Sequence, residues 1–292
     1  MPSYLICLAV VTLSFDKTIF DLVFSKVSSD GTNFMLVVGQ LIYEPPYRYL
    51  LTLRVFVEAL TLLAFLFVLK KLVDPAISAI FQSLNTFDAK AFLSGVGLSG
   101  IMITLPVLIL WQCDYIVLQD VVFPIKEITY FTSIYAGVAL MEEVIFRGYI
   151  LTRLFESTGA FWAITVSSFI FSILHSANDS FSWIAFGNLF LLGIALSLLF
   201  LQYRSIWLII GIHFAWNFVQ GNIWGFNVSG KENTSIMQWQ YIEAGHWTGG
   251  SFGLEGSWLT SLILVIMTLL LITSQLRISH NIKARRNMEN LN

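Results

Sequence analysis

The chain has 292 residues, of which 57% are hydrophobic and only 12% are charged. A soluble domain carries about 25% charged residues, so this composition excludes an ordinary soluble protein and indicates a membrane protein with several spans. The net charge is −2 and there is no long basic run, so nucleic acid is not an expected partner.

The apolar stretches, taken in chain order, predict an all-α bundle of about seven to eight transmembrane helices. Met1–Phe15 is a short first span that runs into the less regular Asp16–Ser28, and Leu50–Leu69 is a clear span. We expect a single membrane domain over residues 1–292. The other predicted spans are Phe92–Gln112, Tyr130–Leu151, Phe161–His175, Phe181–Leu201, Ile206–Val219 and Trp258–Leu276.

Two polar segments between the predicted spans are interpreted as loops. Asp114–Glu127 contains Pro124, and the long Gly-rich segment 222–256 is expected to be a non-cytoplasmic connector at the membrane interface. A lid or an external binding surface is the alternative for this long segment. Lys and Arg residues concentrate on the side of the spans that carries the basic tail 277–292. By the positive-inside rule, that side and the C terminus are cytoplasmic.

Ionisable side chains lie inside the predicted span Tyr130–Leu151. A charge at the bilayer centre costs about 2.5–3.5 kcal/mol, so such residues mark functional sites unless they only form structural ion pairs. Glu143 and Arg147 are four residues apart and can pair on one face of a helix. Glu142 points about 100° away from Glu143. We therefore expect Glu142 to face a cavity, where a carboxylate can serve as a general base.

Two of the four histidines also fall on predicted spans. His175 ends one span, and His213 lies inside another with Asn217 one helical turn later. Asn217 can orient the imidazole or donate to an oxyanion, although a His–Asn pair most often joins helices. Glu142 and the two histidines could hold a divalent metal with a water, or activate a water without metal. Asn188 is expected to make an interhelical hydrogen bond only.

A straight-helix geometry puts these residues at different depths. Glu142 would lie near the middle of the bilayer, whereas His175 lies about 15 residues into its span, toward the outer face. They can meet only if the helix of His175 starts later, tilts, or unwinds near Ser176–Asn178. Non-helical backbone is tolerated at membrane depth where it lines a water-filled cavity.

Three motifs carry a resemblance to a known family. EEVIFR at Glu142–Arg147, FSILH at Phe171–His175 and HFAWN at His213–Asn217 match EExxxR, FxxxH and HxxxN in that order. The pattern resembles the CPBP family of intramembrane proteases, which includes type II CAAX prenyl endopeptidases and the bacterial Abi proteins linked to bacteriocin processing and self-immunity. The resemblance covers mainly residues 130–220, the family core.

The resemblance implies a polar cavity in the bundle and assigns roles by motif. Glu142 and His175 would activate the attacking water. His213 and Asn217 would stabilise the oxyanion. Glu143 and Arg147 would shape the site. It leaves open whether a divalent metal such as zinc takes part, with Glu142, His175 and His213 as candidate ligands. The residues it marks as catalytic are Glu142, Glu143, Arg147, His175, His213 and Asn217.

The resulting prediction is an intramembrane endopeptidase that hydrolyses peptide bonds of a membrane-bound polypeptide, in a multi-pass protein of a bacterial plasma membrane. The expected partners are that substrate, prenylated or not, and the lipid bilayer. A non-proteolytic scaffold or a bacteriocin self-immunity protein is the alternative, because the polar cluster could serve folding or partner binding. A transporter would use the carboxylates as a proton relay, but the chain shows no inverted repeats.

Overall fold

The computed structural model of the chain describes residues 84, 86–243 and 245–289. The predicted spans Met1–Phe15 and Leu50–Leu69 lie outside these residues. The α-helices are α1 (Ala89–Gln112), α2 (Ile125–Glu143), α3 (Thr152–Thr158), α4 (Ala160–Leu174), α5 (Trp183–Tyr203), α6 (Ile206–Phe218) and α7 (Trp258–Glu289). The shorter elements are the π-helices Val144–Leu151 and Val219–Ile223, the 3-10 turns His175–Ala177, Gly250–Phe252 and Leu254–Gly256, and the strands β1 (Ile116–Val121) and β2 (Met237–Tyr241).

Five helical segments of the described part are long and apolar enough to cross a membrane, and they coincide with predicted spans. The predicted span Tyr130–Leu151 is helical but is not among them, because α2 carries Lys126 and Glu127 near its start as well as the two glutamates at its end. The predicted count of seven to eight spans is therefore not confirmed. The five segments are Ala89–Gln112, Ala160–Ala177, Trp183–Tyr203, Ile206–Ile223 and Trp258–Gln275.

A two-stranded antiparallel sheet corrects the all-α expectation. β1 lies in the predicted loop Asp114–Glu127, and it pairs with β2, which lies in the long segment before α7. Ile116 is opposite Tyr241 and Val121 is opposite Met237. The fold is mostly helical nonetheless. The sequence did not predict these strands because periodicity does not identify short apolar runs, and their partners are far apart in the chain.

The largest apolar core lies between α1, α5, α6 and α7. Its closest helix crossing joins α1 to α6 through a glycine on each helix. A Cβ atom at Gly95 would overlap the carbonyl oxygen of Leu208, and one at Gly211 would overlap the carbonyl oxygen of Phe92. Small residues let membrane helices approach closely enough for backbone contact. The crossing therefore fixes the position of α6, which carries His213.

We expect Gly95→Ala to lower the stability of the protein by about 1–3 kcal/mol, because the added methyl group forces the two backbones apart. Gly97→Ala is the matched control on the same helix, since a Cβ atom there would meet nothing within 4 Å. Alanine favours a helix over glycine by about 1 kcal/mol, so the control should be neutral or stabilising. Thermal unfolding in detergent measures both variants, and equal melting temperatures would contradict this account of the crossing.

The long segment 222–256 is more than the interfacial connector that the sequence suggested. Phe252, Leu254 and Glu255 are buried. The Asn188 side chain, expected to join two helices, instead donates through Nδ2 to the carbonyl oxygens of Glu255 (2.8 Å) and Ser257 (2.9 Å). Buried backbone carbonyls need such partners. The amide within α5 thus holds the end of this segment inside the bundle.

Candidate active site

The helix that carries the paired glutamates changes its geometry within the first motif. α2 ends at Glu143, and the chain continues as a π-helix from Val144 to Leu151. π-helical turns are rare and occur frequently at functional sites. The residue spacing predicts a regular helix here, because nothing in it indicates an extra residue per turn.

Glu143 is the centre of a buried ionic group. Its Oε1 accepts a hydrogen bond from Arg147 Nη1 (2.9 Å), and both side chains are fully buried. The same oxygen lies 2.7 Å from His213 Nδ1. Since a carboxylate only accepts, Nδ1 carries the proton and His213 Nε2 points away from Glu143. The predicted Glu143–Arg147 pair is present, and Glu143 also orients the histidine.

Arg147 is held by aromatic and backbone contacts in addition to its carboxylate. Its guanidinium carbon lies 4.7 Å from the centre of the Phe171 ring, and Nη2 is 3.4 Å from the carbonyl oxygen of Gly193. A cation over an aromatic face is favourable, more so in a dry environment. Through Arg147, the EExxxR motif therefore packs against Phe171 on α4 and Gly193 on α5.

The helix of His175 ends directly before this residue. α4 begins at Ala160 and ends at Leu174, so it does not start later than predicted. His175 opens a 3-10 turn, and the backbone is extended at Asn178. Of the three expected arrangements (a later start, a tilt or unwinding), the structure shows unwinding near Ser176–Asn178. His175 Nδ1 donates to the carbonyl oxygen of Phe171 (2.8 Å), which leaves Nε2 facing the site as an acceptor.

Glu142 and the two imidazoles converge on one point. Oε2 of Glu142 lies 4.0 Å from His175 Nε2 and 4.0 Å from His213 Nε2. This oxygen is buried and has no hydrogen-bond partner among the described residues. A gap of 4.0 Å is too long for a direct hydrogen bond, but a water about 2.8 Å from each atom fits it. A water there can donate to Glu142 Oε2 and to His175 Nε2, and it can accept from His213 Nε2 when that imidazole is protonated.

Asn217 lies one turn beyond His213 on α6 and is buried. α6 ends at the next residue and is followed by the second π-helix, Val219–Ile223. Residues four apart on a helix share a face, so Asn217 is placed on the same side as His213. One π-helix thus begins directly after Glu143, and the other begins two residues after Asn217.

The donors around this point are of the types that bind zinc. Both imidazoles have their outer nitrogen held by a carboxylate or a carbonyl, as metal-binding histidines do. The 4.0 Å separations are wider than the roughly 3.4 Å between ligands of a tetrahedral zinc. Within the described residues, no group of three or more His, Cys, Asp or Glu side chains is arranged to hold a metal ion. As they stand, the three side chains are too far apart to ligate one zinc ion together.

One buried carboxylate was not expected from the sequence, Glu255. It is 3% exposed and lies in the 3-10 turn directly before α7. Burial raises the pKa of Glu255, while hydrogen bonds from Ser229 oppose that increase. Glu255 follows four closely spaced glycines in a segment that looks solvent-exposed, so no signal in the sequence identifies it.

A separate cavity of about 630 Å³ is partly lined by residues of the long segment 222–256. It is lined by Tyr130, Phe131, Asn233 and the ion pair between Asp179 and Lys231 (2.7 Å), among others. The side chains of the water-binding point do not line it. The cavity is therefore separate from the candidate site, and Asp179 in its wall lies four residues after His175 in the sequence.

Comparison with known proteins identifies the central part of the chain. Residues 124–219 match the family model described as type II CAAX prenyl endopeptidase Rce1-like. The match covers about a third of the chain and contains every residue that the three motifs marked as catalytic. It confirms the resemblance found from the motifs. No curated protein and no solved structure matches the chain.

Proposed function

We propose that this chain, whose residues 124–219 match the Rce1-like family of type II CAAX prenyl endopeptidases, is a member of that protease family and hydrolyses peptide bonds of a membrane-associated polypeptide. The family is a protease family, and the apolar helices make the protein an integral membrane protein. One observation carries the proposed mechanism. Two imidazole nitrogens each lie 4.0 Å from Glu142 Oε2, an oxygen that has no hydrogen-bond partner among the described residues, and these separations leave room for a water.

In the proposed reaction, a water in this gap attacks the carbonyl carbon of the scissile bond. Its oxygen forms the new bond while one proton moves to Glu142. The bond between carbon and nitrogen then breaks, and the leaving nitrogen receives a proton passed on through His175. The products are a carboxylic acid and an amine, so the two protons and the oxygen of the water are all accounted for.

The oxyanion of the tetrahedral intermediate also needs hydrogen-bond donors. We assign this role to His213 and Asn217. His213 already gives its Nδ1 proton to Glu143, so it donates through Nε2 when it is positively charged. The buried carboxylate of Glu143 stabilises that charge, and Arg147 keeps the carboxylate in place. The low-dielectric bundle strengthens each of these contacts.

We also propose the membrane topology that the distribution of Lys and Arg residues predicts. The long segment 222–256 lies on the non-cytoplasmic side, and the basic tail 277–292 lies in the cytoplasm of a bacterial cell. All residues would form one membrane domain around the core 130–220. The substrate is a polypeptide held at the membrane, whether by a span or by a lipid group.

The test uses the full chain reconstituted in liposomes with peptides anchored by a span, a prenyl group or an acyl chain, and mass spectrometry of the products. We expect the parent to cleave at least one class and His175→Ala to lose activity by at least about 100-fold, because it lacks the group that passes on the proton. His246→Ala is the matched control, since His246 lies in the exposed part of the long segment. Equal rates for parent and His175→Ala would overturn the proposal. Absence of cleavage by the parent would favour the scaffold or immunity alternative.

The sequence leaves open a divalent metal such as zinc, with Glu142, His175 and His213 as candidate ligands. Binding would require the three side chains to close in by several tenths of an ångström. When bound, a metal would polarise the water and the carbonyl oxygen. Elemental analysis of the purified chain, with cleavage measured before and after chelator treatment, decides whether it is needed.

A further inference from the structure

The cavity of about 630 Å³ has the size of a ligand-binding site, and its walls are mostly polar. α2 contributes two aromatic rings, and the turn after α4 contributes Asp179 and Ser180. The long segment 222–256 forms the rest of the wall. Its amide and hydroxyl side chains there are those of Asn227, Asn233, Thr234 and Ser251.

One face of α2 leads from this cavity to the candidate site. Phe131 lines the cavity, and its ring stacks on that of Tyr135 one turn later, with 5.9 Å between the ring centres. Glu142 follows Phe131 by eleven residues on the same helix, which brings it back to within about 20° of the same face. At a rise of 1.5 Å per residue, the two residues are separated by about 16 Å along the helix axis.

The other two helices of the candidate site also lead to the cavity wall. The turn that begins with His175 continues to Asp179. Beyond α6, the second π-helix brings Gly221 against the wall, because a Cβ atom there would lie 3.0 Å from Asn233 Cγ and 3.0 Å from Tyr135 Oη. The Tyr135 hydroxyl donates to Asn233 Oδ1. The three helices that form the candidate site therefore also support this cavity.

The wall formed by the long segment is fixed to the turn after α4. Gly230 packs so closely on this turn that a Cβ atom would overlap the carbonyl oxygen of Asp179. Lys231 Nζ lies 2.7 Å from Asp179 Oδ2. Across the cavity wall, Asn227 Nδ2 donates to the carbonyl oxygen of Ser251 (2.8 Å). The cavity is thus formed before a ligand binds, which reduces the cost of ordering the site.

The chemistry of the walls fits a polar peptide segment with a basic side chain. Amide and hydroxyl groups both donate and accept, as a peptide backbone requires. Because Asp179 already pairs with Lys231, the exposed carboxylate of Glu232 gives the cavity a net negative charge. This charge opposes a phosphate or another anion. A lipid chain would leave the polar walls without partners.

We propose that the cavity is a substrate subsite that binds a polar segment of the polypeptide, with Glu232 selecting a Lys or Arg side chain. The inference rests on the proposed function and adds a determinant of specificity outside the region that matches the family. An extended peptide advances about 3.3 Å per residue, so a distance of about 16 Å corresponds to about five residues. The selected side chain therefore lies about five residues from the scissile bond. No bond forms or breaks in the cavity.

The first test measures cleavage by the full chain in liposomes, with span-anchored peptides that carry Lys or Glu at each position on both sides of the scissile bond. We expect kcat/KM to be about 2–5-fold higher for Lys than for Glu at about five residues from the bond, on one side only. The difference should appear in KM, because the contact is remote from the reacting atoms.

Glu232→Lys should reverse this preference in favour of Glu at the same peptide position. Glu243→Lys is the matched control, because Glu243 is an exposed carboxylate of the same segment that does not line the cavity. It should keep the preference of the parent. A preference for Lys that persists in Glu232→Lys, or no preference in the parent, would overturn the inference.

Ser251→Trp tests whether the substrate occupies the cavity, since the larger side chain fills part of it. We expect KM to rise by at least about 10-fold for a peptide long enough to reach the cavity. A peptide that ends about three residues from the scissile bond on that side should be cleaved as by the parent. Equal effects on both peptides, or no effect on either, would overturn the subsite.

The short peptide also separates this inference from the proposed function. If the parent cleaves it and His175→Ala does not, the proposed hydrolysis holds whatever the cavity variants do. Unchanged specificity in Glu232→Lys would then refute the subsite alone. Equal cleavage by the parent and His175→Ala would refute the proposed hydrolysis, and the subsite with it.

Discussion

Glu142→Gln is expected to abolish peptide cleavage and to leave the protein folded. Glutamine has the size of the native side chain but cannot take a proton from the water, and the loss of a general base costs about 10²–10⁴ in rate. Oε2 of Glu142 is buried without a hydrogen-bond partner in the described part of the chain. Removing its charge should therefore keep or raise the melting temperature, as is common for residues whose placement serves activity.

Two measurements check this expectation, the rate of cleavage of an anchored peptide and the melting temperature in detergent. Glu156→Gln is the matched control, because Glu156 pairs with Arg153 at an exposed position and lies on the short helix after the motif. It should change neither quantity. A Glu142→Gln variant that cleaves at the parent rate would remove the carboxylate from the mechanism.

Glu143→Leu is expected to cause the largest loss of stability, about 3–5 kcal/mol, because it leaves the buried Arg147 without its carboxylate. His213 loses its acceptor at the same time. Adding Arg147→Met to form the double variant should recover most of the stability, since an apolar pair of similar volume often replaces a buried ion pair without cost. The double variant should stay inactive, because nothing then orients His213.

Thermal unfolding and cleavage of the single and double variants separate stability from activity. Stability should fall and then recover, while activity should be lost in both. A single variant as stable as the parent would mean that the buried ion pair does not support the fold. A double variant with parent activity would mean that Glu143 has no role in orienting His213.

The sequence predicted those features that follow from helical spacing and hydropathy. Glu143 and Arg147 pair because residues four apart meet on a regular helix, and they still do so across the π-helical junction. The depth difference left three arrangements for the helix of His175, a later start, a tilt or unwinding, and the structure has a 3-10 turn from His175 to Ala177. The predicted spans in the described part coincide with helices because a long apolar run has few other stable forms in a membrane.

The features that the sequence did not reveal depend on contacts between distant residues. The π-helix at Val144 adds a residue to a turn without any mark in composition. β1 and β2 are short, and neither is recognisable without the other. Glu255 lies in a polar segment that resembles a solvent-exposed loop, and its burial depends on Asn188 and Ser229. The spacing of apolar residues indicates which face of a segment is buried, but it does not identify the residues that the face contacts.

The close crossing of α1 and α6 has a consequence for what counts as the enzyme. α1 lies before the region that matches the family, yet its backbone rests directly against the helix of His213. α7, which lies after that region, packs on α5. Residues 124–219 are therefore not expected to fold alone. Excised, they would expose the faces that α1 and α7 cover, and the side chains of the candidate site would lose the helices that set their spacing.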